Sequence, residues 1–516
     1  MTSRHSFSLL AVTVLAAGGL LIPQTAQAHP ALVADASTSV GAHTPRAAAH
    51  YAPAASKVLG GVGTWTKFSS GTVDGFAQVA LLRTADGKLH AAWVRKNGVN
   101  DLSVMSTTFS LTGSVTHNAP AINHWFSLDQ SLALVPFGTG VRLVFNGGQD
   151  LNNNNKFSLG ARYTATSSSG NSWALVNGSL SQHTVLNQSI AATTELDGTP
   201  VSSQGLNGAV YYRVGVDPSI PAATPDKTLT HGSAYSLADA RLVRDKDGSI
   251  TIGWYEGSNT AQGYWVRKLL PNVGPAVMAP HSKDVNLPDN EPFNAVALAA
   301  RVGGGVYLAY CVPSKTLQCA HIDLWKVGSK TVRVVPGSTG DAVRHVTLSA
   351  GAKGRLVVAW FDVTKNVIKV VRTNTHANAW GVLRTVKPPI KVSDLANFDG
   401  LFTDASSGRI DLVANVQKFS NGAPVALFHT QVLEGLKLKV SPTKISHTHS
   451  ATVTFTVTDA GEAVSGATVS FAGHTAHTNT HGVAKITIAK GQKKGTKTAT
   501  ASKSLYYKAT VSVKIT

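Results

Sequence analysis

The chain has 516 residues, 43% hydrophobic and 14% charged, with a formal net charge of +19 from 46 Lys+Arg against 27 Asp+Glu. That length suits more than one folded domain, and the positive excess favours polyanionic partners such as cell-wall polymers, acidic glycans or anionic lipid. No nucleic-acid-binding motif accompanies the charge, so nucleic acid is not an expected partner.

The chain opens "MTSRHSFSLLAVTVLAAGGLLIPQTAQAHP". Arg4 and His5 precede an apolar run that reaches Ile22, Pro23 breaks it, and Ala26-Gln27-Ala28 is a small-x-small cleavage signal. Residues 1–28 therefore read as a secretory signal peptide. The run is short for a retained membrane anchor, and no later segment is apolar enough to span a bilayer. The mature protein is expected to be exported, either extracellular or held at the cell surface. Residues 29–58, rich in Ala, Ser and His with scattered prolines, read as a disordered linker. His29, His43 and His50 are too dispersed there for a metal site.

From residue 59 to 435 one unit recurs. An alternating strand runs into a Gly-containing turn and a second strand follows, often ending in an aromatic residue, as in "FAQVALLRTADGKLHAAWV" and "RHVTLSAGAKGRLVVAWF". The turn glycines are Gly87, Gly140, Gly198, Gly248, Gly304, Gly354 and Gly408. Alternation broken by Gly turns is a hairpin signal, and a repeat of about 50 residues that is nearly all strand predicts a propeller, one four-stranded blade per unit. The piece around Trp65, "GTWTKFSSG", reads as an outermost strand. Placed on the last repeat it would complete the seventh blade and cover edge strands that a nearly closed ring leaves exposed.

Two later strand pairs carry an Arg, small polar residues and a Trp: Arg162 with Trp173, and Arg372 with Trp380. Thr166-Ser-Ser168-Ser-Gly170-Asn-Ser172-Trp173 and Thr373-Asn-Thr375-His-Ala377-Asn-Ala379-Trp380 resemble the Asp-box repeat of sialidase-like propellers. A hydroxyl residue stands at the Asp position in both, and the second lacks the Gly. In that family the box is a structural turn away from the active site, so the resemblance implies fold and not chemistry. Arg162 and Arg372 read as equivalent blade residues.

Each repeat also places an Asx at the start of its first strand: Asp74, Asp129, Asn187, Asp239, Asn294, Asp341 and Asp399. Two of them share an Asx-Gln-Ser echo, Asp129-Gln130-Ser131 and Asn187-Gln188-Ser189. In a propeller these positions circle one mouth of the central channel, where carboxylates and amides can bind sugar hydroxyls or a cation such as Ca²⁺. The alternative is local, since Asx residues favour the turns that precede strands. Asp150, Asn152 and Asn154 form a faint calcium-loop pattern without its Gly and closing Glu. Cys311 and Cys319, in "YCVPSKTLQCAH", suit a disulfide across a predicted hairpin, which export permits.

From Leu436 to Thr516 the composition turns Lys-rich, with only Asp459 and Glu462 as acids. Gly466-Ala467-Thr-Val469 followed by Thr478-Asn-Thr-His481-Gly482-Val-Ala484 resembles bacterial Ig-like domains. The resemblance implies a β-sandwich used as a spacer or adhesive module. Its lysines serve either solubility or attachment to an anionic envelope.

Catalytic signals are sparse. The sialidase-type Arg motif near the propeller start is absent, and Arg83 lies near a turn on the far face. Glu195, Glu256 and Glu291 are the propeller acids of interest, with Tyr211, Tyr212 and Tyr255 as potential partners. No Gly-x-Ser-x-Gly nucleophile motif occurs. The expected architecture is all-β: a seven-bladed β-propeller over 59–435 followed by a basic Ig-like β-sandwich over 436–516. The expected function is recognition of glycan or another anionic cell-envelope polymer. The alternatives are a secreted sialidase-like glycoside hydrolase or lyase, and a scaffold for a protein partner.

Overall fold

The computed structural model describes residues 63–73, 78–149, 159–179, 190–206, 209–214, 227–229, 240–256, 262–283, 296–314, 319–389, 398–416 and 426–516. They belong to one compact unit, Pro53–Thr516. The described residues are β-strand and turn with one short 3-10 turn, Ala352–Gly354, and no α-helix among them.

Seven antiparallel sheets follow one another along the chain. Their innermost strands are Ala80–Arg83, Ser127–Phe137, Ile190–Thr194, Arg241–Arg244, Ala297–Ala300, Val343–Ala350 and Phe398–Asp404. Each touches the next, and the last returns to the first, so the sheets form a closed ring. We number them one to seven in this order. The second strands are buried on both faces; Leu356–Asp362, in sheet six, is buried at every residue. Most of these strands read as apolar runs because each is packed against a sheet on either side; Ser202, Ser203, Asp411 and Asn415 are buried polar exceptions. Trp93, Trp254, Tyr310 and Trp360, all on second strands, fill the spaces between sheets.

The hairpin turns repeat one pattern. In sheets one, three and four an Asp precedes the Gly, and Asp86, Asp197 and Asp247 each accept a bond from the backbone N–H two residues on. Hydrogen bonds hold the three carboxyls below their ordinary range, chiefly from the Lys88 and Thr84 side chains to Asp86, from the Thr199 N–H to Asp197 and from the Ser249 side chain to Asp247. The Gly takes positive φ at six of the seven expected positions, and Gly140 is the departure. There the tight turn is Gly138-Thr139, with Phe137 paired to Gly140, and Gly138 carries the positive φ of 55°. Gly140 is needed for space instead, since a Cβ would lie 2.1 Å from the Ser167 carbonyl oxygen.

The ring closes through the N-terminal strand. Thr66–Lys67 pairs with Ala426–Val432 as the outer strand of sheet seven. Phe68 then packs against Trp93 and Phe109 of sheet one. On the turn side Arg83 of sheet one grips sheet seven, its Nε 2.8 Å from Asp404 and its Nη2 2.5 Å from Asp411. The Ser of the Asx-Gln-Ser echo is a stitch of the same kind. Ser131 Oγ in sheet two accepts the Ile190 N–H at 2.5 Å and lies 3.3 Å from the Ile190 carbonyl in sheet three.

Past Glu434 the chain forms two further sheets around Val453, Phe455, Val457, Phe471, Ile486 and Val513. Strand Ala451–Asp459 alternates, with Val453, Phe455, Val457 and the closing Asp459 inward and Thr outward. This tail is docked on sheet six. Glu434–Gly435 pairs in parallel with Tyr506–Tyr507. Arg355 and Arg372 of sheet six both reach Asp459, at 3.1 and 2.6 Å.

Arg162 and Arg372 are not equivalent in the ring. Arg162 lies opposite Asn146, deep in the third strand of sheet two, whereas Arg372 lies opposite Val357 beside the turn of sheet six. Arg162 precedes its motif Thr by four positions and Arg372 by one, so the residue at the level of Arg162 is Lys369.

Candidate functional site

The inner strands begin at one end of the ring, here called the upper end, and run to the Gly turns at the other. Of the predicted circle, Asp74, Asn187, Asp239 and Asn294 lie outside the described residues, as do Asp150, Asn152 and Asn154. Asp129 and Asp399 lie where the pairing of their strands shifts, between Leu128 and Leu132 and between Phe398 and Gly400.

Asp341 is the member whose side-chain contacts are described, and it is turned inward. It is 5% exposed. Its carboxylate takes the Trp360 indole N–H at 3.1 Å, Lys365 Nζ at 2.8 Å and Lys369 Nζ at 2.5 Å. Asp362 shares both lysines, each at 3.1 Å. Burial raises the Asp341 carboxyl, but the bonds from Lys365, Lys369 and Trp360 outweigh it and hold the group down at about 2. A carboxylate with these partners locks the end of sheet six; it does not offer itself to a ligand.

Sheets four and five hold a different arrangement. Residues 280–282, which leave the last strand of sheet four, are pinned from both sides. Tyr310 Oη donates to the Pro280 carbonyl at 2.7 Å, and Ser282 Oγ accepts the Tyr264 N–H at 3.1 Å. Between them His281 has a φ of 60°, a left-handed conformation that non-glycine residues adopt at a cost of about 1 kcal/mol or more. Its ring is exposed, while Nδ1 lies 3.3 Å from Oδ2 of Asp323, a carboxylate 1% exposed. His321 approaches the other carboxylate oxygen, Nε2 to Oδ1 3.4 Å. Tyr310 packs against Tyr264 at 5.7 Å, and its phenol is pushed up by burial and by Asp323. Cys311 and Cys319, on neighbouring strands of the same sheet, are joined by a disulfide with Cα atoms 5.1 Å apart.

A buried carboxylate that fixes Nδ1 of a solvent-facing imidazole sets the ring's orientation and leaves Nε2 for proton transfer. Of the acids and tyrosines read from the sequence, those among the described residues are placed as follows. Glu195 lies in a Gly turn at the opposite end. Tyr255 and Glu256 are neighbours on one strand and so point to opposite faces. Tyr212 is buried beneath Lys227. Glu291 lies outside the described residues. Among the described residues no group of three or more His, Cys, Asp or Glu is placed to hold a metal ion.

Sequence reading passed over His281 and Asp323. One signal was present: His321 and Asp323 are two apart on a strand and therefore share a face. His281, in "APHSK", belongs to no repeat and joins them only in three dimensions.

No protein-family model matches the chain, and no curated protein sequence does. Among solved structures it is similar to polysaccharide lyase Uly1, at TM-score 0.43 and 11% identity over 71% of this chain and 92% of that one. It is also similar to the Hadza microbial sialidase Hz136, at TM-score 0.38 and 9% identity over 69% of this chain and 65% of that one. A third is the exo-beta-1,3-galactanase of Phanerochaete chrysosporium, at TM-score 0.34 and 13% identity over 84% of this chain and 93% of that one. Likeness at this level settles neither an activity nor a substrate for this chain.

Proposed function

We propose that the protein is an exported, seven-bladed sialidase-like β-propeller with an Ig-like tail, and that it cleaves an acidic glycan by proton transfer at the upper end of sheets four and five. One observation carries the reading: the exposed His281 imidazole, held by the buried Asp323 carboxylate in a strained and pinned loop. The chemistry this pair supports is elimination. Glycoside hydrolysis calls for two carboxyl groups facing one bond. One such pair at this end of the ring, Asp341 and Asp362, is neutralised by Lys365 and Lys369. Elimination from a uronic acid residue needs a base to take the proton beside the carboxylate and an acid to assist the leaving oxygen. His281 is the base in this reading and, once protonated, the acid that returns the proton to the leaving oxygen, and the chain's positive charge suits a polyanionic substrate. A lyase thus stands ahead of pure recognition, the reading that rested on the circle of Asx residues.

The test is incubation of the full chain with a panel of acidic polysaccharides, following ultraviolet absorbance from unsaturated uronate and new reducing ends. His281→Ala should lower turnover on the order of a hundredfold or more, and Asp323→Asn should do likewise. Binding without turnover, lost in Asp129→Ala or Asp239→Ala, would return the protein to recognition alone. Absence of both would sink the glycan reading and favour a scaffold.

A further inference from the structure

At the opposite end of the ring, the turn between the third and fourth strands of sheet two borders an open groove of about 540 Å³. It is lined by the aromatic rings of Phe137 and Trp173 and by the hydroxyl residues Thr166, Ser168 and Ser172. Sheet six has the same turn, and there it is occupied. The match is structural as well as sequential. Gly170 and Ala377 share a motif position and both have positive φ, 78° and 53°. The residue before the expected Asp position caps both turns. Ser167 Oγ accepts the Gly170 N–H at 2.8 Å, and Asn374 Oδ1 accepts the Asn378 N–H at 2.9 Å.

In sheet six the next residue, Thr375, captures a carboxylate. Its N–H donates to Glu462 Oε1 at 2.9 Å and its hydroxyl donates to the same oxygen. Arg355 grips the other oxygen. The Glu arrives from the tail, so the turn is a carboxylate receptor already filled from within the chain. Ser168 is the counterpart of Thr375, presents the same two donor types and is exposed. Positive charge is again at hand, since the Arg142 guanidinium sits 4.6 Å from the centre of the Phe137 ring.

We propose that the sheet-two groove is a binding site for a uronic acid residue of an acidic glycan, separate from the His281 site. The carboxylate is received by the Ser168 N–H and hydroxyl, as Glu462 is received by Thr375, and the pyranose ring lies against Phe137 or Trp173. The groove's volume is that of a small-ligand site rather than of a protein surface. Phe137 is 43% exposed with Arg142 already over its ring, so the apolar surface that a sugar covers is the part Arg142 leaves open. The proposal does not depend on the lyase reading.

The experiment is calorimetric titration of the full chain, in a His281→Ala background so that no substrate is consumed, with tetragalacturonate and with its methyl ester. Saturable binding of the acid is expected, weakened about tenfold by Ser168→Ala, the scale of one charge-assisted hydrogen bond. Phe137→Ala, a change at an exposed ring, should weaken it to a similar degree, and the ester should bind more weakly than the acid. Equal binding of acid and ester would overturn the carboxylate receptor. Affinity untouched by both substitutions would put the sugar elsewhere. Failure of tetragalacturonate to bind, or its replacement by an oligoglutamate peptide as the tighter ligand, would overturn the sugar assignment. The Ser168→Ala and Phe137→Ala outcomes do not bear on turnover at His281.

Discussion

Arg372 Nη2 donates to Asp459 Oδ2 at 2.6 Å, with both side chains almost wholly buried, so a residue of sheet six and a residue of the tail form one internal ion pair. Arg355 reaches the same carboxylate at 3.1 Å, and the Tyr506 hydroxyl donates to it at 3.3 Å. The tail is therefore not a bead on a flexible tether. Its Asp and Glu, the two acids of an otherwise basic segment, are both spent on the ring.

Loss of Arg372 should leave Asp459 underpaired in a buried site. Arg372→Ala is expected to cost about 3 kcal/mol or more, and Asp459→Ala about as much. The double substitution should cost less than the sum, because removing both partners leaves no uncompensated charge. Thermal or urea unfolding of the four proteins measures this coupling; simple additivity would show that the pair does not hold the tail.

Ring closure has its own test. Arg83 neutralises Asp404 and Asp411, which burial would otherwise leave facing each other. Burial already raises the Asp404 carboxyl against the pull of Arg83. Arg83→Met should destabilise the protein by about 3–5 kcal/mol and speed amide hydrogen exchange in Thr66–Lys67 and Phe398–Asp404. Unchanged exchange in those strands would place closure elsewhere.

The disulfide closes a short loop, with a sequence separation of 8. Loop-closure entropy puts the loss in a Cys311→Ala, Cys319→Ala protein at about 2–3 kcal/mol. Because His321 lies two residues beyond Cys319, any glycan turnover should fall at temperatures where the double variant remains folded. A melting point equal to that of the parent would assign the bond no constraint.

Stability should carry a pH signature from Glu434. Burial pushes this carboxyl from 4.5 to about 7, only partly offset by Arg372. Between those values the unfolded chain is ionised while the folded chain keeps its proton, so Glu434 makes stability fall as pH rises, by about 3 kcal/mol across the window. His90 acts in the other direction. Burial lowers it from 6.5 to about 4, the unfolded chain alone takes up the proton in that range, and stability falls as pH drops. Glu434→Gln removes the first effect, so its stability relative to the parent should grow from acid to neutral pH. A constant difference across that range would contradict the buried, protonated Glu434.

The local pieces of this protein were legible because each is decided by near neighbours in the chain. Asp-Gly turns, alternating strands such as Ala451–Asp459, the hairpins on either side of the turn glycines and the Cys311–Cys319 hairpin all follow from backbone geometry and strand periodicity. The N-terminal strand at Trp65 was readable too, since a ring short of one outer strand has one place to find it. What the sequence did not decide was where each side chain at a strand end would go. Asp341 carries the same Asx signature as its six counterparts, yet two lysines from the next hairpin draw it inward. Gly140 looked like a turn glycine, but a carbonyl from a different turn makes it a spacing residue. His281 meets Asp323, and Glu462 meets Thr375, across separations that no periodicity spans. Those meetings depend on how whole sheets pack, and the candidate chemistry follows from them.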